Sequence, residues 1–168
     1  MDFEEVIRER KATRKFSDKE VEQEKLEKIL EAGRLAPTAK NIQPIKIYVV
    51  RSEKGINSLD KATKCRYGAK VVLIVCGDKE KSYVKDGSPI YQMDASIVAT
   101  HMMLEATNVG IDNIWIELFD SEVLRNEFGI PENLVPVCLI PIGYKSKLCP
   151  PSPFHKVRKS IDKIVDYV

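Results

Sequence analysis

The 168 residues contain no C-x-x-C pair, no G-x-G-x-x-G or G-x-x-x-x-G-K-[ST] loop, and no apolar run near the roughly 20 residues that span a bilayer. Zinc ribbons, dithiol redox centres, the dinucleotide fingerprint, the P-loop and a membrane helix are therefore not expected. Charge of one sign is missing too: 27 Lys and Arg against 25 Asp and Glu leave +2 at pH 7, too little for a global field that recruits nucleic acid or an anionic membrane. Any anion site must be local. The start, Met1-Asp2-Phe3-Glu4-Glu5, has neither the basic stretch nor the apolar core of a secretory signal. Four scattered cysteines, at 65, 76, 138 and 149, fit a reducing compartment. A cytoplasmic protein without a bound metal is the expectation.

What is present is an ordinary globular composition, 43% apolar and 31% charged, with no linker, repeat or low-complexity stretch. One domain over residues 1–168 follows. Asp2 and Glu5 have capping-box spacing ahead of a short first helix, and Leu26, Ile29, Leu30 and Ala32 recur at helical spacing until Ala36-Pro37 stops a second. Ile45 to Val50 alternates like a half-buried strand, while Val71 to Cys76 is a β-branched run suited to a central one. Ser88-Pro89 reads as the start of a helix that continues to Gly110, the longest in the chain. A strand over Ile111 to Phe119, a helix over Ser121 to Phe128 and a buried strand over Val135 to Ile142 complete the series. The Pro-rich stretch at 150, 151 and 153 leads to Ser160 to Val168, a helix or an added strand. Two helices precede the first strand and the phosphate loop is missing, so an α+β layered domain is expected rather than a doubly wound one.

Two segments carry candidate chemistry. Arg10-Lys11-Ala12-Thr13-Arg14-Lys15-Phe16 concentrates four cations between a helix and a turn. It is either a solvated basic face or an anion site, because forked guanidinium donors match phosphate oxygens. Ala36-Pro37-Thr38-Ala39-Lys40-Asn41-Ile42-Gln43-Pro44 is either a helix stop with ordinary turn chemistry or a set of amide and hydroxyl groups facing a planar ligand. Asp94 and His101 share one face of the long helix; a packing or dimer-contact role is preferred over a catalytic couple, since no nucleophile has suitable spacing.

In order and spacing these segments resemble the opening of the nitroreductase family, R-[RK]-S-x-R-x-F followed after a helix by A-P-S-x-x-N-x-Q-P. Arg10, Lys11, Arg14 and Phe16, then Ala36, Pro37, Asn41, Gln43 and Pro44, supply it here. Asp94, Gly110-Ile111, Trp115-Ile116, Gly129-Ile130-Pro131-Glu132 and Gly143-Tyr144 match later features, so the likeness runs through the chain. The resemblance implies a mainly antiparallel or mixed sheet of four to five strands flanked by helices, in an intertwined homodimer. It also implies FMN between two subunits, its phosphate on the arginine stretch and on Lys156 and Arg158.

By the same carry-over Arg10, Lys11, Ala12 and Arg14 would meet the phosphate or the flavin pyrimidine edge. Pro37, Thr38, Asn41 and Gln43 belong to the loop that would reach across from the partner. Ile116, Glu117 and Leu118 would lie along the flavin N5 and O4 edge through backbone N–H groups, with Glu117 either tuning the flavin or forming a strand-end salt bridge. The arm 145–168 would cross to the partner. NADH or NADPH would donate hydride and a flat small-molecule acceptor, a nitroaromatic or quinone, would receive it in a ping-pong cycle. A flavin- or nucleotide-binding module without turnover is the alternative. Ala12 stands where the family usually has Ser, Ile45 where an aromatic is common, and Lys145 where Pro is frequent.

Overall fold

The centre of the computed structural model, which describes residues 1–150 and 152–168, is β2 (Val71–Asp78). Every residue of β2 is buried; successive side chains of a strand point to opposite faces, so both faces must be covered. The β-branched run therefore forms the central strand that its composition predicts. β1 (Ile45–Val50) and β6 (Leu134–Gly143) flank it and β5 (Asp112–Asn113) lies beyond β6, giving the antiparallel order β1-β2-β6-β5. A bulge in the β2·β6 ladder falls between Val75 and Cys76, opposite Cys138 and Pro136. Pro136, which has no N–H to give, sits at this break.

Leu73, Val75, Ile140 and Ile142 face one core, with α2 (Gln23–Leu35) and α4 (Tyr91–Asn108) against them. Val72, Ile74, Cys76 and Leu139 face the other, closed by α3 (Glu53–Ala62) and α5 (Ser121–Phe128). Burial pushes the Cys76 thiol up to about 12 and raises Cys138 as well, so both are inert core groups. α4 crosses β2 closely at Gly77, where an added Cβ would meet Tyr91 Cδ2 at 2.6 Å and Tyr91 O at 3.0 Å.

α1 (Phe3–Glu9) has the expected capping box between Asp2 and Glu5. α3 is a helix for which the sequence pattern offered no reading; Ser52 caps it by accepting from the Gly55 N–H at 3.1 Å. Ser88-Pro89 does not open the long helix. Asp86 (φ 50°) and Gly87 (φ 79°) form a tight turn that pairs β3 (Val84–Lys85) with β4 (Ser88–Pro89), and α4 starts after it at Tyr91. Asp-Gly is a strong two-residue hairpin signal, and it overrides proline's helix-start preference. The strand expected over Ile111 to Phe119 is reduced to β5 and a single bridge from Ile116 to Leu139. The tail forms one 3-10 turn, Ile161–Lys163, neither a full helix nor a strand of this sheet. Pro151 lies outside the described residues. Among the described residues no helix is long and apolar enough to cross a membrane.

Candidate functional site

The basic stretch leaves α1 at Arg10 and is laid across the end of the sheet. Thr13 N–H donates to Asn113 O at 3.0 Å, Phe16 N–H to Tyr67 O at 3.0 Å, Ser17 N–H to Tyr144 O at 2.8 Å, and Ser146 N–H to Lys15 O at 3.0 Å. Ala12 bridges Asn113 and Phe16 bridges Lys145, so the segment acts as an extra strand end. Asp112 fixes this junction: its carboxylate accepts from Thr13 Oγ1 at 3.1 Å and from Lys145 N–H at 3.0 Å. Thr13 and Phe16 turn inward and are buried, which leaves Arg14 and Lys15 exposed.

The charges of this stretch are largely without counterions. Lys11 lies 3.7 Å from Glu9, but Arg10, Arg14, Lys156 and Arg158 form no ion pair among the described residues. Burial lowers the Arg10 guanidinium pKa from its usual value, and the positive charge of Arg158 lowers it further. The C-terminal arm has thus brought a second guanidinium within electrostatic range of the first, 148 positions earlier in the chain. Like charges converge this way at a cost unless an anion joins them. Arg158 otherwise donates only to backbone carbonyls of its own turn, at 2.9 Å to His155 O and 2.7 Å to Val157 O.

A loop the sequence reading passed over completes one side. Arg66 grips Asp60 with two bonds of 2.8 Å and reaches Ala69 O at 2.9 Å, which holds residues 63–68 against the basic stretch. Burial and the neighbouring Cys65 raise the Tyr67 phenol, while the Arg14 guanidinium pulls it back down. Tyr67 and Gly68 both have positive φ, and Tyr67-Gly68 is the turn signal that could have marked the loop. On its far side Thr63 Oγ1 donates to Leu118 O at 2.7 Å.

Ile116, Glu117 and Leu118 follow in a short irregular run. Ile116 is buried and exchanges two 2.9 Å bonds with Leu139, whereas Glu117 and Leu118 are exposed. Neither the Glu117 nor the Leu118 N–H donates to another group among the described residues. Both are therefore free donors among the described residues, separated from the basic stretch by the 63–68 loop. The Glu117 carboxylate forms no salt bridge there; it accepts from Trp115 Nε1 at 2.9 Å.

Pro37, Thr38, Asn41 and Gln43 stand elsewhere. Their loop ends at β1, whose first residue Ile45 pairs with Gly77, while the basic stretch sits where Gly143 and Val71 end the sheet. Val71 and Gly77 are six residue steps apart along β2, about 20 Å at the usual rise of a strand, and the two groups lie on opposite edges of the sheet. One chain does not bring them together. Lys40, Asn41 and Gln43 all have φ near 50°, at 51°, 55° and 56°. Thr38 Oγ1 accepts from Gln43 N–H at 3.0 Å, and Asp94 Oδ1, from α4, accepts from Ala39 N–H at 2.9 Å. Asp94 is buried and its Oδ2 has no partner. His101 does not pair with it: the imidazole is exposed, and its Nδ1 lies 2.9 Å from Ile97 O.

The nitroreductase family model matches residues 7–67 and 60–144. A nitroreductase family protein of Clostridium difficile 630, known from its crystal structure, is 41% identical over 99% of this chain and 98% of its own, with a TM-score of 0.92. A protein of Archaeoglobus fulgidus provisionally named NADH dehydrogenase/NAD(P)H nitroreductase is 32% identical over 83% of each chain. The same fold recurs at 23% identity, covering 100% of this chain and 98% of the other at a TM-score of 0.87, in a protein of Exiguobacterium sibiricum 255-15 described as a nitroreductase and solved with FMN. Motif order, antiparallel sheet and matched relatives converge: the chain belongs to the nitroreductase family.

Proposed function

We propose that the protein is an FMN-dependent NAD(P)H oxidoreductase acting on flat acceptors such as nitroaromatics or quinones. The observation that carries this reading is a set of unpaired donors: Arg10, Arg14 and Arg158 form no ion pair among the described residues, the Arg158 charge acts on Arg10, and the Glu117 and Leu118 N–H groups donate to nothing there. A dianionic phosphate satisfies the Arg10 and Arg158 guanidiniums and the acceptor edge of an isoalloxazine the two N–H groups. The donor set therefore fits FMN. When bound, the flavin would supply the two-electron relay between NADH or NADPH and the acceptor, the two using one open face in turn.

This chain's own residues bind, orient and polarise. Arg10 and Arg158, with Lys156 next but one before Arg158 in sequence, hold the phosphate; Arg14, with Lys11 behind it, places positive charge toward the pyrimidine edge, where reduced flavin carries its negative charge. Ala12 contributes only backbone, since its side chain has no donor. Ile116 is anchored in the sheet and so fixes the height of the Glu117 and Leu118 donors. Glu117, turned by the Trp115 indole, sets a negative charge near that edge.

Pro37, Thr38, Asn41 and Gln43 complete the site from a second copy in a homodimer. Their distance from Arg10 in one chain supports this. So does the arm 145–168, whose Phe154, Val157, Ile161, Ile164, Tyr167 and Val168 are all exposed and want a partner's apolar surface. A purified protein that is yellow, with flavin absorption, and that oxidises NADH or NADPH when menadione or a nitrofuran is added is the expected result. Flavin without turnover would point to the binding module instead, and a colourless protein that takes up no added FMN would remove the reading altogether.

A further inference from the structure

We propose that Asp94 is a positioning residue that holds the 38–43 loop in a strained shape for the cofactor, a role that rests on the FMN reading above. Left-handed φ is uncommon for residues other than Gly and Asn, and the loop demands it at Lys40 and Gln43 as well as at Asn41. Such a shape persists only when its surroundings fix it. Within the loop, Asn41 N–H donates to Thr38 O at 2.9 Å, Ile42 N–H to Ala39 O at 3.1 Å and Gln43 N–H to Thr38 Oγ1 at 3.0 Å. These bonds set its internal turn and leave its placement on the fold open.

Among the described residues, Asp94 is the one side chain outside the loop that makes a hydrogen bond to it, at 2.9 Å to Ala39 N–H. The carboxylate is almost fully buried and its second oxygen has no donor at all. Burying a carboxylate for one backbone bond is a poor way to stabilise a core. It is an effective way to seat a loop, because a charge-assisted bond from the first turn of a packed helix sets the loop's height above α4. The Lys40 ammonium lies 4.6 Å from the centre of the Tyr83 ring on the exposed side of the loop.

The test compares wild type, Asp94→Asn, Asp94→Ala and the double variant Asp94→Ala with Lys40→Gly. Asn keeps the acceptor for Ala39, Ala removes it, and Gly at 40 relieves the left-handed strain. Two readouts are taken: amide exchange of Asn41, Ile42 and Gln43 in the cofactor-free protein, and the FMN dissociation constant by fluorescence titration. Asp94→Ala should exchange about tenfold faster at those amides and bind FMN about tenfold more weakly. Asp94→Asn, which keeps the acceptor without the charge, should fall clearly between wild type and Asp94→Ala in both, and the double variant should recover part of the loss. If Asp94→Asn is as impaired as Asp94→Ala, or if affinity merely follows the melting temperature across the set, Asp94 is a packing residue and the proposal fails. Should Asp94→Ala not fold, Asp94→Leu takes its place; if neither folds, a core role is established instead. A wild type that binds no FMN sinks the function reading, while the exchange data still decide whether Asp94 holds the loop.

Discussion

Arg158→Ala is the sharpest probe of the assigned phosphate site, because its effect can be separated from every contact to the flavin ring. Arg158 sits in an exposed arm and donates only to carbonyls of its own turn, so its removal should leave the fold intact. It should also relieve Arg10, whose guanidinium pKa then rises toward its usual value. With FMN present the balance reverses. A lost charge-assisted hydrogen bond costs about 1.5 to 3 kcal/mol, which at about 1.4 kcal/mol per decade weakens binding roughly ten- to hundredfold. Riboflavin has the ring but no phosphate, so its affinity should not move. Fluorescence titration of the cofactor-free protein with both flavins, at low and at raised salt, measures the difference. The wild-type preference for FMN over riboflavin should shrink in the variant, and its salt sensitivity with it. Equal losses for the two flavins, or none for either, would refute the placement of the phosphate between Arg10 and Arg158.

Three further outcomes are expected. Removing residues 150–168 should abolish both dimer formation and flavin retention, as sizing with light scattering and an absorption spectrum would report; a yellow, dimeric truncation contradicts the crossing arm. Gly77→Ala should destabilise the fold by about 1 to 3 kcal/mol, since its Cβ would meet both the ring and the backbone oxygen of Tyr91; a denaturant midpoint unchanged from wild type would count against that packing. The hydrogen bonds from Arg66 hold the Asp60 carboxyl below the usual range, so their contribution is present above the unfolded pKa of about 4 and is lost as pH falls through the lower folded value. Arg66→Ala should accordingly flatten the acid limb of the stability curve, and an identical limb in variant and wild type would show that the pair does not hold the 63–68 loop.

Much of the fold is written in local patterns. The β-branched run at 71–76 could be placed at the centre because no polar residue interrupts it, and Asp2 with Glu5 announced the first cap through their spacing alone. Where two local signals competed, the pattern misled. Ser88-Pro89 is a valid helix start, but Asp86-Gly87 two residues earlier closes a hairpin that uses both residues as strand. The segment Ile111 to Phe119 has strand composition throughout, yet it meets β6 only from Asp112 to Ile116, and the chain turns away after Ile116. α3 was hidden because its apolar positions are few and its interior includes Gly55.

The site divides along the same line. Arg10, Arg14, Arg158, Asn41 and Gln43 are visible as residue types, and their order along the chain identifies the family. Which of them meet is a property of the fold. Arg10 feels the charge of Arg158 from the C-terminal arm, Arg14 acts on Tyr67 in a loop pinned by Arg66 and Asp60, and Asn41 meets none of them. No spacing rule encodes contacts across so much sequence. Nor does any pattern mark Asp94 for the loop instead of His101, since helical periodicity puts both on one face and only the depth of the first turn of α4 decides which one is buried. The strain at Lys40 and Gln43 is equally invisible, because neither residue type advertises a positive φ. A loop built from residues that resist its shape needs an outside anchor, and the buried carboxylate beneath it is where that anchor was found.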